Sequence, residues 1–171
     1  MINFRYIKHA YYTPFYDAVA NFSKVAKLDT GAALSVLGAA SVCSKIDVLL
    51  FCDKVKQRAA ELQVEQKYLT AANGSQFEII PCRLQNVYLD RTLIQEFKFG
   101  LYLNPNSNTF LLGDDFLSCC EFNHTIGGPI QITDFSVDRY KQKNNNVAVN
   151  LSDIYNQFDS EQVISKIDCF N

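Results

Sequence analysis

The feature that most restricts how this chain folds is a change of period. From Ser44 to about Tyr68, the apolar residues Val48, Phe51, Cys52, Val55, Ala59 and Leu62 recur at helical spacing, while Lys54, Lys56, Arg58 and Glu61 lie elsewhere around the turn. On both sides of this stretch the apolar residues come instead in short extended runs. One long amphipathic helix must therefore lay its apolar stripe on strands. Ser44, with Asp47 three residues on, predicts the helix start as a capping box, because side-chain oxygens there accept bonds from amides that the first turn leaves unpaired.

The strand signals are local. Tyr11 to Leu28 reads as two strands rich in aromatic and β-branched residues, with Asn21-Phe22-Ser23 as the turn between them. Tyr68 to Ala72, Asn73-Gly74 and Ser75 to Leu89 read as a hairpin, and Asn-Gly predicts a type I′ turn because both residues tolerate positive φ. Pro81 lacks an amide proton, so an edge or a bulge is expected there. Phe97, Phe99, Leu101 and Leu103 alternate in a further strand that ends in the turn-forming Asn104-Pro105-Asn106-Ser107-Asn108. Gly127-Gly128-Pro129 leads into another, Ile130 to Phe135. Asn144-Asn145-Asn146 interrupts the pattern. Residues 1–143 are therefore expected to form the main domain and 144–171 a helical tail carrying Ile154, Phe158, Val163, Ile164 and Ile167.

Composition narrows the function. The chain has 171 residues, room for one domain; 48% are hydrophobic and 20% charged, with 7 Gly and 4 Pro, which describes a packed globule rather than a disordered or fibrous chain. A formal charge of -2 supplies no cationic field for nucleic acid or anionic lipid, and neither partner is expected. Met1 to Tyr6 lacks the pattern of a secretory signal and no apolar run approaches a membrane span, so a soluble, cytoplasmic protein is expected. Cys43, Cys52, Cys82, Cys119, Cys120 and Cys169 show no metal-ligand spacing and read mostly as buried thiols. Cys119 and Cys120 are adjacent, but neighbours on an extended segment face opposite ways, which argues against a redox pair.

Chemistry concentrates in two segments. Leu28-Asp29-Thr30-Gly31-Ala32-Ala33-Leu34-Ser35-Val36-Leu37 places an acid at the end of an apolar strand, a Gly where a tight turn exposes it, and small or hydroxylated residues after it. Phe110-Leu111-Leu112-Gly113-Asp114-Asp115-Phe116-Leu117 supplies a second apolar run broken by Gly and followed by acids. Together they resemble the retropepsin family of aspartic proteases, in the Asp-Thr-Gly-Ala turn with a hydroxyl further on and the later apolar-apolar-Gly-x-Asp-Phe-Leu segment. The likeness runs from about Phe15 to Phe135, and the helical insert is more similar to bacterial members than to viral ones.

The resemblance implies a mostly β, closed barrel-like retropepsin fold with one inserted helix and a C-terminal helical tail. It implies an aspartic endopeptidase acting on a polypeptide substrate as a homodimer, with Asp29 catalytic and no cofactor or metal. The Asp-Thr-Gly triplet occurs once, so a second subunit must supply the other carboxylate. It further implies that Thr30 holds the dimer register, that Gly31 and Ala32 complete the turn, and that Ala72, Asn73 and Gly74 form the tip of a flap over substrate. Leu112, Gly113 and Asp115 belong to the second motif, Asp115 as a helix-start residue facing the helix dipole. A catalytically silent dimeric peptide-binding or scaffold module of the same fold is the alternative, and a fragment cut from a polyprotein is disfavoured by Met1.

Competing readings of single residues are plainer. Asp114 and Asp115 are adjacent acids, yet a helix-start role is preferred to cation binding. Lys27 shares a strand face with Asp29 but is expected to reach solvent. His9 and His124 read as surface or satisfied core histidines. Asn73-Gly74 is equally well explained as mere hairpin closure.

Overall fold

The computed structural model describes residues 1–20, 22–42, 47–125 and 128–158, and in them eleven strands join one sheet. The chain opens with β1 (Ile2–Ile7) and β2 (Ala10–Asp17), joined at Lys8 and His9, whose φ values of 47° and 70° make the tight turn that suits two twisted strands. Ile2, Phe4, Tyr6 and Ile7 are of strand type, yet β1 is not among the strands singled out from the sequence. β3 (Phe22–Leu28) pairs with β2, and Phe22 and Ser23 belong to this strand rather than to the expected turn. The turn lies at residues 18–20, where the Asp17 carboxylate accepts the amide of Val19 at 3.0 Å, and Asn21 lies outside the described residues.

After β4 (Val36–Gly38) and the short α1 (Ala39–Val42) comes α2 (Val48–Glu61). Its cap is Asp47 itself, whose Oδ1 accepts the amides of Leu49 at 3.0 Å and Leu50 at 3.2 Å; Ser44 lies outside the described residues. A carboxylate there does what a Ser would do and adds favourable charge at the positive end. Phe51, Cys52, Val55 and Ala59 are the buried stripe. The helix ends well before Tyr68, because Gln63 turns left-handed (φ 56°) and the Val64 amide reaches back to Ala59 O at 2.9 Å, a Schellman closure. Lys67 and Tyr68 start β5 (Lys67–Thr70) instead.

β6 (Gln76–Leu89) and β7 (Thr92–Tyr102) form the longest hairpin. Pro81 sits inside β6 without a bulge, opposite Gly100. Gly100 gives its N–H to Ser35 O at 2.8 Å, away from β6, so Pro81 occupies a pair that exchanges no bonds and its missing donor costs the ladder nothing. On its outer side β5 has ended at Ile79 and β11 (Val149–Asn150) begins only at Cys82, so no strand needs that donor either. β8 (Phe110–Leu112) leads into α3 (Asp114–Leu117), β9 (Cys120–His124), β10 (Ile130–Phe135) and α4 (Val137–Lys143).

The ring β6–β7–β4–β8–β3–β2 closes through β2 pairing again with β6, giving a barrel of 6 strands with α2 inserted between β4 and β5. The mostly β, closed-barrel expectation is met. β1, β10 and β9 continue outward from β2. Closure gives each strand of the ring a neighbour on both sides over part of its length, and aromatic rings pack the interior: Phe15 lies 5.7 Å from Phe97 and 4.8 Å from Phe110, and Phe97 lies 6.1 Å from Phe116. Burying one such side chain stabilises by roughly 2 kcal/mol.

The segment after Asn146 adds β11 in parallel to β6 and a helical stretch over residues 151–158. Leu151, Ile154, Tyr155 and Phe158 are buried, with Tyr155 stacked on Phe51 at 6.0 Å and its hydroxyl donating to Val42 O at 3.1 Å. These residues belong to the same core as the barrel. Val163, Ile164 and Ile167 lie outside the described residues. Among the described residues no helix is long and apolar enough to cross a membrane.

Candidate active site

β3 delivers Asp29. Leu28 pairs in parallel with Leu112 of β8, and the Asp29 amide continues that ladder to Leu112 O at 3.0 Å. The chain then turns: the Ala32 amide reaches Asp29 O at 3.3 Å, and the Gly31 amide donates to Asp29 Oδ1 at 3.0 Å. This last bond aims the carboxyl group. Asp29 is half-buried, while Thr30, Gly31 and Ala33 are exposed and Ala32 is half-buried. The turn thus presents a carboxylate and its flanking backbone on an accessible surface.

The second motif is the clamp beneath that turn. Asp114 N donates to Ala32 O at 2.8 Å and Asp115 N to Ala33 O at 3.2 Å. Between them Gly113 approaches so closely that a Cβ there would lie 2.5 Å from Leu34 O and 2.9 Å from Ala32 O, so only glycine fits. Ser35 ties the two motifs: its amide and hydroxyl donate to Asp115 Oδ1 at 2.9 and 2.8 Å, and its oxygen accepts the Gly113 amide at 3.0 Å. Ser35, Gly113 and Asp115 are buried, where a satisfied network is stiff and a broken one is costly.

Asp115 lies in the first turn of α3, as expected, but that helix has four residues and little dipole to offer. What holds the carboxylate is Ser35 together with the Phe116 amide at 2.8 Å. Burial pushes the Asp115 carboxyl above the ordinary carboxylate range, and its hydrogen bonds to Ser35 and Phe116 pull partly the other way. Asp114 is exposed and lies 3.7 Å from the Lys143 amine. Leu112 is fully buried.

The hairpin of β5 and β6 has the opposite character. Ala72, Asn73, Gly74 and Ser75 are exposed, as are most residues of β5. Only Gly74 in the loop has positive φ (82°), so the turn is not the expected type I′, which needs positive φ at both central residues. Instead the Gly74 amide returns to Ala71 O at 2.9 Å and the Ala71 amide reaches Ser75 O at 2.8 Å, a longer loop with glycine at its left-handed position. Asn73 Oδ1 stabilises it from within, accepting the Ser75 amide at 3.0 Å and hydroxyl at 2.6 Å. Among the described residues no hydrogen bond or ion pair joins this loop to the Asp29 turn.

The remaining candidates disperse. Lys27 is exposed and forms no ion pair with Asp29 among the described residues. His9 and His124 flank a pair of tyrosines, Tyr6 Oη lying 3.3 Å from His9 Nδ1 and Tyr11 Oη 3.4 Å from His124 Nε2. Cys52, Cys82 and Cys119 are buried free thiols and Cys120 is half-buried; burial pushes the Cys120 thiol up to about 12. Cys43 and Cys169 lie outside the described residues. Among the described residues no cluster of three or more His, Cys, Asp or Glu could hold a metal ion.

Sequence reasoning passed over the specific task of Ser35. The signal was present, a hydroxyl six positions after Asp29 inside the first motif, but its partner Asp115 is 80 residues away and only the fold joins them.

No family model matches the sequence, and no curated protein matches it. A solved structure similar to this chain is the retropepsin-like aspartic protease from Rickettsia conorii, at 20% identity and a TM-score of 0.48, with 77% of this chain and 97% of that chain covered.

Proposed function

We propose that the chain is an aspartic endopeptidase that acts as a homodimer, hydrolysing peptide bonds with a water activated between two Asp29 carboxylates. The observation that carries this reading is the Asp29 turn. One carboxylate, aimed by the Gly31 amide, stands on an accessible surface, and the bonds from Asp114, Asp115 and Ser35 fix the backbone beneath it. Such preorganisation is what a catalytic acid needs and what an incidental surface acid lacks.

One carboxylate is half of the chemistry. Two brought to about 3 Å across a two-fold axis cannot both ionise cheaply and so share one proton. The ionised half takes a proton from the water, whose oxygen forms a bond to the peptide carbonyl carbon. The protonated half gives its proton to the carbonyl oxygen, leaving a gem-diol. Collapse of the diol breaks the C–N bond as a proton passes to the leaving nitrogen, and the dyad ends with one proton again. The pair titrates as a unit, so activity follows a bell-shaped pH profile whose limbs belong to neither subunit alone.

In this reading Thr30 and Gly31, both exposed at the turn, face the partner subunit and the substrate backbone, and the β5–β6 hairpin closes over an extended peptide. Cleavage of a peptide library by wild type is the test. Asp29→Asn should abolish it, at least a thousandfold, with the urea midpoint nearly unchanged because the carboxyl accepts one internal bond among the described residues. Intact cleavage in the variant, or a protein that sediments as a monomer at every concentration while cleaving, would defeat the proposal. A dimer that binds peptides and cleaves none would favour the silent module instead.

A further inference from the structure

β4 pairs with β7 only from Gly100 onward, so the first half of β7 has an edge that no strand covers among the described residues. The direction of its free groups follows from two bonds. Lys98 gives its amide to the Tyr140 hydroxyl at 2.8 Å and accepts that hydroxyl's proton at its carbonyl at 3.3 Å, and the Gly100 amide goes to Ser35 O. Even-numbered residues of β7 therefore point their main-chain groups away from β6. By the same alternation Ile94 and Glu96 present N–H and C=O outward, and among the described residues nothing pairs with them.

Ile94 and Glu96 both line a groove of about 400 Å³ to which Phe135, Val137 and Lys141 also contribute. None of residues 29–33 or 67–76 lines it. We propose that this groove is a second docking site, taking an extended polypeptide segment as an added strand on β7, separate from the Asp29 turn and beyond the function proposed above. Unpaired main-chain donors and acceptors in register call for another main chain, and Tyr140 already imitates such a partner at Lys98. At about 3.3 Å per residue, pairing with Ile94 and Glu96 engages a segment of roughly three to five residues.

Side chains define its chemistry. Leu93 and Val137 are 45% and 46% exposed at the groove and accept apolar side chains. Glu96 is compensated by Arg83 at 3.5 Å and Lys98 at 3.8 Å, whereas Lys141 has no ion-pair partner among the described residues. The uncompensated charge is cationic, so the docked segment alternates apolar and acidic residues.

The probe is a capped pentapeptide alternating valine and glutamate, titrated into the 15N-labelled full-length Asp29→Asn protein, so that cleavage plays no part in the outcome. Amide shifts should concentrate at Ile94 and Glu96. A lysine-for-glutamate version should bind at least fivefold more weakly, Lys141→Glu should invert that preference, and backbone N-methylation should weaken binding tenfold at alternate peptide positions only. Shifts confined to residues 29–33 and 71–75, no binding at millimolar peptide, or Ile94 and Glu96 amides already protected from exchange in the free protein would each overturn the proposal. The last result would place a segment of this same chain in the groove.

Discussion

The Asp29 turn and the β5–β6 loop both expose a short stretch of backbone ending in or near a glycine, yet they are built in opposite ways. Beneath residues 29–34 the amides of Asp114 and Asp115 hold the turn from the far end of the sequence, and the buried Ser35 ties it to the buried Gly113 and Asp115. Among the described residues the loop at 71–75 is held only by its own members, through Ala71, Asn73 and Ser75, and its glycine has nothing within 4 Å of where a Cβ would be. A surface fixed by long-range buried bonds keeps its geometry, while one fixed by local exposed bonds opens at low cost. The same molecule thus supplies a firmly held floor and a locally held arm, the pair that the proposed peptidase reading calls for.

Breaking the floor at its tightest point should have the largest effect. Gly113→Ala forces a Cβ against two backbone oxygens, which no rotamer relieves. The expected loss is about 3 kcal/mol or more, at the upper end of overpacking costs, read as a lower urea midpoint. A loss under 1 kcal/mol would mean the floor yields as readily as the arm.

Next comes the network itself. Ser35→Ala removes a hydroxyl that donates to Asp115 and accepts from Gly113, stranding buried partners on both sides, and should cost about 2 kcal/mol. The acid gives this a pH signature. Burial raises the folded-state pKa of Asp115 above its unfolded value, so in the window just above the ordinary carboxylate range the native state holds a proton that the unfolded chain has released. Stability from this group is present below that window and declines as pH rises through it. Asp17, also raised by burial, works in the same direction and persists in variants at position 115. The unfolding free energy of wild type minus that of Asp115→Asn should therefore fall as pH rises through the window. A difference that grows with pH would show that the hydrogen bonds to Ser35 outweigh the desolvation.

How much of this was readable beforehand follows the same division between local and distant causes. The helix stripe Phe51, Cys52, Val55 and Ala59 was legible because periodicity is local, and so were β2, β3, β6 and β7, whose apolar runs and alternation are local too, whereas the short β4 and β8 were not singled out as strands. The helix ends were misplaced because Asp47 is the cap itself rather than the second member of a capping box begun at Ser44, and because Gln63 is unremarkable until its dihedral angle is known. At the site, Asp29 and Gly113 stood out as motifs, but the bond from Ser35 to Asp115 spans 80 residues and has no local trace. The exposed edge of β7 was invisible for a related reason: which neighbour a strand lacks is a property of the sheet, not of the strand.

The smallest expected effect lies in the arm. Gly74→Ala puts an L side chain at φ 82°, a strain of about 1 kcal/mol, but into open space. Because the loop is bound only to itself among the described residues, the strain should be relieved by local opening rather than global unfolding. Hydrogen exchange separates the two outcomes. The Ala71 and Gly74 amides, which close the loop, should exchange about fivefold faster, since 1.4 kcal/mol corresponds to a factor of ten. The Asp29 amide, bonded to Leu112 O in the floor, should keep its rate. If all three amides speed up together, the hairpin and the floor open as one unit, and the contrast between a rigid base and an independent arm fails.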